Sequence, residues 1–438
     1  MIYFVNLRFT LAIGREFIPT PWNRNGLVPR GSRGISFPLS DYRYLRFLRS
    51  NMLTLNAWPC KEMGENVSKY GVLLTAINIF LKIFYFVDSL LYLRNNIKRV
   101  TFYEIGHTII IFRLIMLNIN YICMYTICTH NLTPKFLINV YLLQTHKQLH
   151  LICHMFTLGL CGQFFIGLTF FILNPVYRNY GAGNYKEKNL QNSTYEHSIY
   201  LELPFDTTHS FKGYLFAFCL NTLDSYICCA WFVTVDLQLS LTVLHLWGHY
   251  KILLHELASF PLPAKKEEVI IYNNVSVKVN TEIYSEEELQ EVNKQLKRCI
   301  DYHRLIANYT NKISEGYGPV LFISYAFHQA CGCLLLLESL MVYGLLTAVA
   351  FEQLIQMSVI FELIGSTSEK LKDAVYGVPW EYMDMKNRKI VSIFLANVQE
   401  PIHVKALGLA TVGVKTMASI IKTSLTYFTL LQSIRNDV

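Results

Sequence analysis

Residues Leu151–Leu173 read LICHMFTLGLCGQFFIGLTFFIL, an apolar block without a single Asp, Glu, Lys or Arg. A helix needs about 20 predominantly apolar residues to cross the hydrocarbon core of a bilayer. Backbone N–H and C=O groups find no partners in lipid, so a segment of this kind is expected to satisfy them internally as an α-helix. The block therefore predicts a transmembrane helix and a membrane protein.

Six further apolar blocks of similar length flank this one. They are Gly71–Leu93, Phe102–Cys128, Gly213–Val235, Pro319–Leu337, Leu340–Ile364 and Leu407–Ser433. After the fourth block in chain order, apolar periodicity continues to about Leu257, which predicts a helix that projects beyond the membrane. The fifth and sixth blocks are almost contiguous, and we place the hairpin between them near Glu338–Tyr343. The pattern predicts an all-α protein with seven transmembrane helices.

The overall composition excludes most soluble classes. Charged residues make up 16% of the 438 residues, whereas a soluble globular protein carries about 25%. The net charge of +8 does not indicate a nucleic-acid binder, because the basic residues lie between the apolar blocks and share no surface. Most of the 11 cysteines lie inside the blocks, which favours buried reduced thiols over a disulfide or metal framework.

The loops between the blocks indicate the orientation in the membrane. Most Lys and Arg residues of these loops lie on the same side as the N-terminus, and such residues are enriched on the cytoplasmic side. We expect a cytoplasmic N-terminus and an external C-terminus. Of the N-x-Ser/Thr signals, only Asn192 falls in a loop predicted to lie outside, so it is the candidate glycosylation site.

Motifs of soluble enzymes do not occur in this sequence. It contains no P-loop, GxGxxG or GxSxG motif, so we predict neither enzymatic activity nor a cofactor. His146, His150 and His154 recur every four residues and would share one helical face. They could bind zinc or form an interfacial polar stripe. No further ligand stands at matching spacing, so we predict no metal site.

The last block combines two lysines with an apolar end. Lys415 and Lys422 are seven residues apart and would share one face, and Leu430 and Ile434 lie one turn apart with Gln432 between them. This arrangement suits a water-filled pathway closed by an apolar ring. It equally suits an ordinary packed helix with snorkelling lysines, and the pattern does not decide between them.

The outer halves of several blocks are rich in aromatic and small residues. An apolar pocket with a few polar groups would hold a small hydrophobic ligand, although the same residue types also serve plain packing between helices. The candidate ligand-binding residues are Phe102, His107, Gln163, Phe164, Gly167, Phe171, Phe218, Tyr226 and Tyr343.

The C-terminal third carries a recognisable signature. Residues 368–380 read SEKLKDAVYGVPW, which resembles the S-x-K-L-x-x-A-x-Y-x-x-x-W pattern of insect odorant receptors. Val398–Pro401 and Ser424–Leu431 also resemble the family, as do Asn51–Leu53 and Trp58-Pro59 near the start of the first block. The chain is thus identified as resembling an odorant receptor, a ligand-tuning subunit of the seven-transmembrane odorant-gated channels.

The resemblance implies a fold inverted relative to G-protein-coupled receptors, and a non-selective cation channel gated by small volatile odorants. It implies a tetramer with co-receptor subunits in the dendritic plasma membrane of olfactory neurons. The last helix would line the pore, with Leu430, Gln432, Ile434 and Lys422 at the pore and gate. Because cationic side chains disfavour cation flow, Lys415 and Lys422 would be diluted by co-receptor subunits or face away from the pore.

Three regions follow from this resemblance. Residues 1–69 form a cytoplasmic N-terminal segment, of which residues 1–36 are set aside because Leu27–Ser32, LVPRGS, matches a thrombin site used in expression plasmids. Residues 70–365 form the ligand-binding bundle, with cytoplasmic helical extensions at 237–257 and 286–313. Residues 366–438 contain the signature loop, an anchor helix over Met383–Leu395 and the seventh span.

Two other receptor classes remain as alternatives. Gustatory receptors are closely related, but their TY-five-apolar-QF ending is not met, because Gln432 comes one residue early and Ser433 replaces Phe. A G-protein-coupled receptor would usually carry a cysteine in its second outer loop, and residues 174–212 contain none.

Overall fold

The computed structural model describes residues 43–54, 69–96, 108, 112, 140–185, 194–263, 266–273, 275–282, 284–337 and 340–436. All of them belong to one compact unit that comprises residues 39–132 and 136–438. The α-helices are α1 (Arg43–Thr54), α2 (Lys69–Asn95), α3 (Val140–Gly181), α4 (Phe211–Ala258), α5 (Glu286–Leu337), α6 (Leu340–Tyr376), α7 (Met385–Asn397) and α8 (Val414–Asn436).

Two short antiparallel hairpins and one 3₁₀ helix join these elements. Strands β1 (Lys266–Asn273) and β2 (Val275–Glu282) pair between α4 and α5, with Lys266 opposite Glu282 and Asn273 opposite Val275. Strands β3 (Lys405–Ala406) and β4 (Ala410–Thr411) pair just before α8. The 3₁₀ helix is Trp380–Tyr382, between α6 and α7.

Six of the seven predicted spans fall on described helices. Within the described residues, three segments are long and apolar enough to cross a membrane by length and composition: Lys147–Gly181, Phe211–Ala258 and Thr347–Tyr382. The first predicted span matches α2, the fifth lies within α5, and the seventh overlaps α8 from Val414 onward. The second span, Phe102–Cys128, lies outside the described residues apart from Thr108 and Phe112.

Helices α4 and α5 are longer than any membrane span requires. Helix α4 continues without a break to Ala258, as the apolar periodicity predicted. Helix α5 joins the predicted intracellular segment 286–313 to the fifth span, with Pro319 inside it. Proline removes one helical hydrogen bond, but the buried neighbours Tyr317, Val320 and Leu321 keep the helix packed through this position.

The signature residues form a helix, which corrects the predicted loop at the start of region 366–438. Helix α6 runs to Tyr376 because no Gly or Pro occurs between Ser366 and Tyr376. Leu371 and Val375 lie one turn apart and are both buried, so the face of α6 that packs on the core continues through the signature. The chain turns at Gly377, whose N–H donates to Asp373 O at 2.8 Å.

The seventh helix begins later than the predicted Leu407. Residues 405–413 instead form the β3–β4 hairpin, in which Leu407 and Gly408 have positive φ values of 51° and 71°. Helix α7 covers the predicted anchor with a shift of two residues. The carboxylate of Asp384 caps its N-terminus by accepting from Asn387 N at 3.2 Å.

The largest core lies where the inner half of α4 meets α5, α6 and α7. Leu246, Leu253 and Leu296 are completely buried there. Polar contacts tie the same helices together: His249 Nδ1 lies 2.6 Å from the Tyr302 hydroxyl. We call this packed region, made of residues 237–258, 286–317, 365–376 and 385–397, the inner core.

Candidate ligand site and pore helix

A polar segment closes the outer end of the described helices. Residues 194–210, which we call the outer strap, follow α3 and lead into α4. Asn179 of α3 is fully buried and exchanges two hydrogen bonds of 2.8 Å with the backbone of Glu196. The Asp88 carboxylate of α2 accepts from Glu202 N at 2.9 Å, and Asn221 of α4 donates to Ile199 O at 2.9 Å. The strap is thereby fixed to α2, α3 and α4 at once.

The end of the strap makes a close turn against the start of α4. The Asp206 carboxylate accepts from the backbone N–H groups of Thr208 and His209 at 2.9 and 3.0 Å. Chiefly because of the bond from His209 N, the pKa of Asp206 lies below its ordinary value. A Cβ at Gly213 would lie 2.1 Å from Asp206 O, so only glycine permits this approach.

Burial lowers the pKa of the strap's histidine, His197. The ring of His197 is buried, with Nε2 at 2.9 Å from Thr207 O and its centroid 5.2 Å from that of Tyr214. Desolvation lowers the pKa of His197, and the Thr207 carbonyl opposes this effect in part. The ring of His197 thus lies among aromatic side chains, close to Tyr200 of the strap and Tyr214 of α4.

Two predicted ligand residues lie where α3 meets α4 and α6. Gln163 Nε2 donates to Val349 O of α6 at 3.4 Å, whereas its buried Oε1 has no hydrogen-bond partner among the residues that the structure describes. Phe164 is half-buried against the main hydrophobic cluster of the chain, and Cys229 Sγ of α4 lies 3.7 Å from the carbonyl oxygen of Phe164. This junction offers an aromatic surface next to one amide oxygen, which suits a small, weakly polar ligand.

The other predicted ligand residues are spread over different surroundings. Phe171 packs beneath the strap against the buried cluster of Tyr85, Ile199 and Leu201. Phe218 is half-buried with its ring 6.1 Å from Tyr214, and a Cβ at Gly167 would meet no atom within 4 Å. Tyr226 is 42% exposed and contributes little to the interior. Phe102 and His107, together with the side chain of Tyr343, lie outside the described residues.

A buried pair of ionisable side chains lies between α2 and α4 and is absent from the predicted site residues. Lys82 is 2% exposed and Asp224 is 3% exposed, although both lie in predicted spans. The Lys82 ammonium sits 4.7 Å from the ring centroid of Trp231. The sequence could have identified both residues, because ionisable side chains within a membrane span are functional candidates by default.

Three of the predicted pore residues of α8 are exposed on the surface of the described chain. Ile420 and Ser424 are buried against neighbouring helices, where Gln329 of α5 donates to Ser424 Oγ at 3.3 Å. Leu430 is 52% exposed, and Lys422 and Gln432 are also exposed. The side chain of Ile434 lies outside the described residues.

The histidine stripe and the glycosylation signal give little further chemistry. Tyr44 of α1 hydrogen-bonds both His150 and His245, which fixes the N-terminal helix to α3 and α4. Among the described residues, no group of three or more His, Cys, Asp or Glu side chains is arranged to hold a metal ion. Asn192 and the side chain of His146 lie outside the described part of the chain.

A family model described as the 7tm odorant receptor matches residues 156–425, more than half of the chain. The chain is a member of the 7tm odorant receptor family. The resemblance seen in the signature is thereby confirmed, and the gustatory and G-protein-coupled alternatives are not favoured. The protein belongs to a family of membrane receptors.

Curated members of the odorant receptor family match a shorter part of the chain. Odorant receptor 22b of Drosophila melanogaster is 22% identical over 147 residues, which cover 32% of this chain and 37% of that protein. Putative odorant receptor 85d of the same species is 20% identical over 146 residues, covering 32% and 35%. The chain thus spans little more than a third of the length of these relatives.

Solved odorant receptor structures share the fold over most of the chain. The insect olfactory receptor OR5 from Machilis hrabei superposes with a TM-score of 0.70, covering 90% of this chain and 98% of that one at 14% identity. Its complex with eugenol gives a TM-score of 0.68 with 89% and 98% coverage at 14% identity. The predicted all-α, seven-transmembrane fold is confirmed.

Proposed function

We propose that the protein is an odorant receptor that acts as a subunit of an odorant-gated, non-selective cation channel. The observation that carries this proposal is the family match across residues 156–425. Shared architecture over 90% of the chain with an insect olfactory receptor supports it. As a receptor and channel, the protein would need neither catalytic residues nor a cofactor.

The proposed orientation has the N-terminus in the cytoplasm. The enrichment of Lys and Arg in loops on that side supports it. In this orientation the inner core lies below the membrane, where α4, α5 and α7 would anchor neighbouring subunits. The strap and Asn192 lie outside, and a glycan on Asn192 would be compatible with the plasma membrane of a sensory dendrite.

The pore in this proposal is lined by α8, with Leu430, Gln432 and Ile434 at its outer end. Exposure of Leu430 and Lys422 in the single chain is compatible with a surface that faces a central axis. A ring of apolar side chains narrow enough to exclude water would block ions until a ligand widens it. Co-receptor subunits in a heterotetramer would complete the ring and dilute the charge of Lys422.

The proposed ligand is a small, volatile, largely apolar odorant held within the helix bundle. The Machilis hrabei receptor has been solved with eugenol, and we extend ligand binding within this fold to the present protein. Phe164, Phe171 and Gln163 are the described residues that we expect to contact it. Burial of apolar surface would supply most of the affinity.

Heterologous expression with and without a co-receptor subunit tests the proposed function. Cells that express both chains should give inward cation currents to members of an odorant panel, and cells with the co-receptor alone should respond differently or not at all. An epitope at the N-terminus should be inaccessible on intact cells and accessible after permeabilisation. If surface-expressed protein gives no odorant-dependent current under any of these conditions, the proposal is wrong.

A further inference from the structure

Four buried polar side chains lie together between α2 and α4, at the level of the predicted spans. Lys82 and Tyr85 are one turn apart on α2, and Asn221 and Asp224 are one turn apart on α4. None of the four is more than 3% exposed, and Asp224 lies within electrostatic range of both Lys82 and Tyr85. We call these four residues, together with Trp231, the α2–α4 polar site.

The ammonium of Lys82 points at α4, and the described part of the chain offers it no ion-pair partner. It lies 4.7 Å from the ring centroid of Trp231, a cation–π contact that stabilises it only in part. Lys82 Nζ has no hydrogen-bond partner among the described residues, and neither it nor Asp224 makes an ion pair there. A buried charge without such partners is unfavourable unless another polar group meets it.

The remaining atoms of the site add both donor and acceptor capacity. The amide of Asn221 donates to Ile199 O at 2.9 Å, which leaves its buried Oδ1 as an acceptor without a partner in the described chain. The Tyr85 hydroxyl is buried and also without a hydrogen-bond partner there. Within the described residues, the hydrogen bond to the Asp224 carboxylate comes from the weak thiol donor of Cys228, at 3.6 Å.

We infer that the α2–α4 polar site binds the hydroxyl group of a small neutral alcohol or phenol. A hydroxyl is both acceptor and donor, so its oxygen can accept from Lys82 while its proton is donated to Asp224. The rings of Trp231 and Tyr85 would pack on the carbon skeleton of the ligand. This inference rests on the proposed function and deepens it by naming one chemical class of ligand.

The two opposite charges, on Lys82 and Asp224, disfavour ligands whose polar group is not a hydroxyl. An ether oxygen accepts from Lys82 but offers nothing to Asp224, so the carboxylate would stay without a strong donor. A charged amine or carboxylate would meet one attractive and one repulsive side chain, so the site would not offset the cost of removing that charge from water. The site should therefore distinguish an alcohol from an ether of the same size.

Photolabelling of the purified full-length chain in lipid nanodiscs tests this inference. The probe is an octanol that carries a diazirine, and the labelled peptides are mapped by mass spectrometry. We expect labels on α2 near Lys82 and on α4 between Asn221 and Trp231. Unlabelled 1-octanol should compete at about tenfold lower concentration than its isomer methyl heptyl ether, since the ether lacks one hydrogen bond to a charged group.

Matched variants distinguish binding from misfolding. Lys82→Met and Asp224→Leu should each reduce labelling about tenfold, because each removes one hydrogen bond between a charged side chain and the hydroxyl group. Leu223→Met, at the exposed neighbour of Asp224, should label like the wild type. If the variants do not fold, the position of the wild-type label and its competition by the ether still decide the outcome.

Three results would overturn the inference: labels elsewhere in the chain, equal competition by the ether, or unchanged labelling of both folded variants. Parallel current recordings separate it from the proposed function. If odorants evoke current while the label maps elsewhere, only the polar site is wrong. If the label maps to the site while no odorant evokes current, the channel proposal is the one that fails.

Discussion

Single buried polar side chains fix the inner core. Ser368 of the signature is 2% exposed, and its Oγ accepts from Ile402 N at 2.8 Å. This bond holds the turn after α7 against α6, so the signature serine has a structural role that its sequence position alone does not reveal. Leu371 fills the core beside it, whereas Tyr376 is largely exposed.

His303 of the inner core should make stability depend on pH. Its ring is buried 5.5 Å from that of Phe394, and burial lowers its pKa from the ordinary 6.5. The unfolded chain then binds the proton more tightly than the folded chain. The contribution of neutral His303 to the stability of the fold is therefore complete at pH values above the ordinary pKa of 6.5. It is lost as the pH falls through the lower pKa of the folded chain.

Thermal unfolding in detergent checks this prediction. Between about pH 7.5 and about pH 5, the wild-type melting temperature should fall more than that of His303→Phe, which cannot take up the proton. His209→Gln, at an exposed position, should follow the wild type. Equal pH dependence in the wild type and His303→Phe would contradict the argument.

Among the helices, the central residues were predicted from the sequence more reliably than the ends. The apolar blocks located α2, α3 and α4 because a membrane span must be continuously apolar. The extension of α3 back to Val140, and the joining of segment 286–313 to the fifth span, depend on packing against other helices. That packing is encoded by contacts between distant residues, which periodicity within one block does not reveal.

The outer half of α3 carries the most direct test of the ligand site. Phe164→Ala should shift the potency or the preferred size of odorants, because it removes a half-buried ring next to Gln163. Each methylene that loses its contacts should change the half-maximal concentration about fourfold. The control is Phe165→Ala, whose ring is exposed.

Dose–response curves for a homologous odorant series measure this effect at matched surface expression. Phe171→Ala, beneath the strap, provides an independent second position. If neither Phe164→Ala nor Phe171→Ala alters tuning, ligands bind elsewhere in the molecule.

On α8, Leu430→Ser should raise the ligand-free current several-fold or alter ion selectivity at unchanged surface expression. A hydroxyl lowers the cost of wetting an apolar constriction, so the closed state should become leaky. Leu425→Ser lies on a different face of the same helix and is also at an exposed position, so it serves as the control. Resting current is measured in assembled channels, and in a homomer if one forms. Unchanged current and selectivity in both Leu430→Ser and Ile434→Ser would exclude this gate.

For the whole molecule, the sequence predicted the class of protein better than the site. The low fraction of charged residues and the apolar blocks were enough to predict a seven-helix membrane protein, and the signature was enough to predict the family. The side chains that face the interior were harder to predict, because apolar residues occur on every face of these spans. Tyr226, a predicted ligand residue, is largely outside the interior, whereas Lys82 and Asp224, ionisable residues within the predicted spans, are among its most buried side chains.

We propose that this chain conducts ions as a ligand-gated channel and needs no G protein. The decisive measurement is recording from excised membrane patches of cells that express it with a co-receptor, in solutions without GTP. Odorant-evoked current should persist at undiminished amplitude in such patches. Loss of all evoked current on removal of GTP, with recovery when GTP is restored, would show that the proposal is wrong.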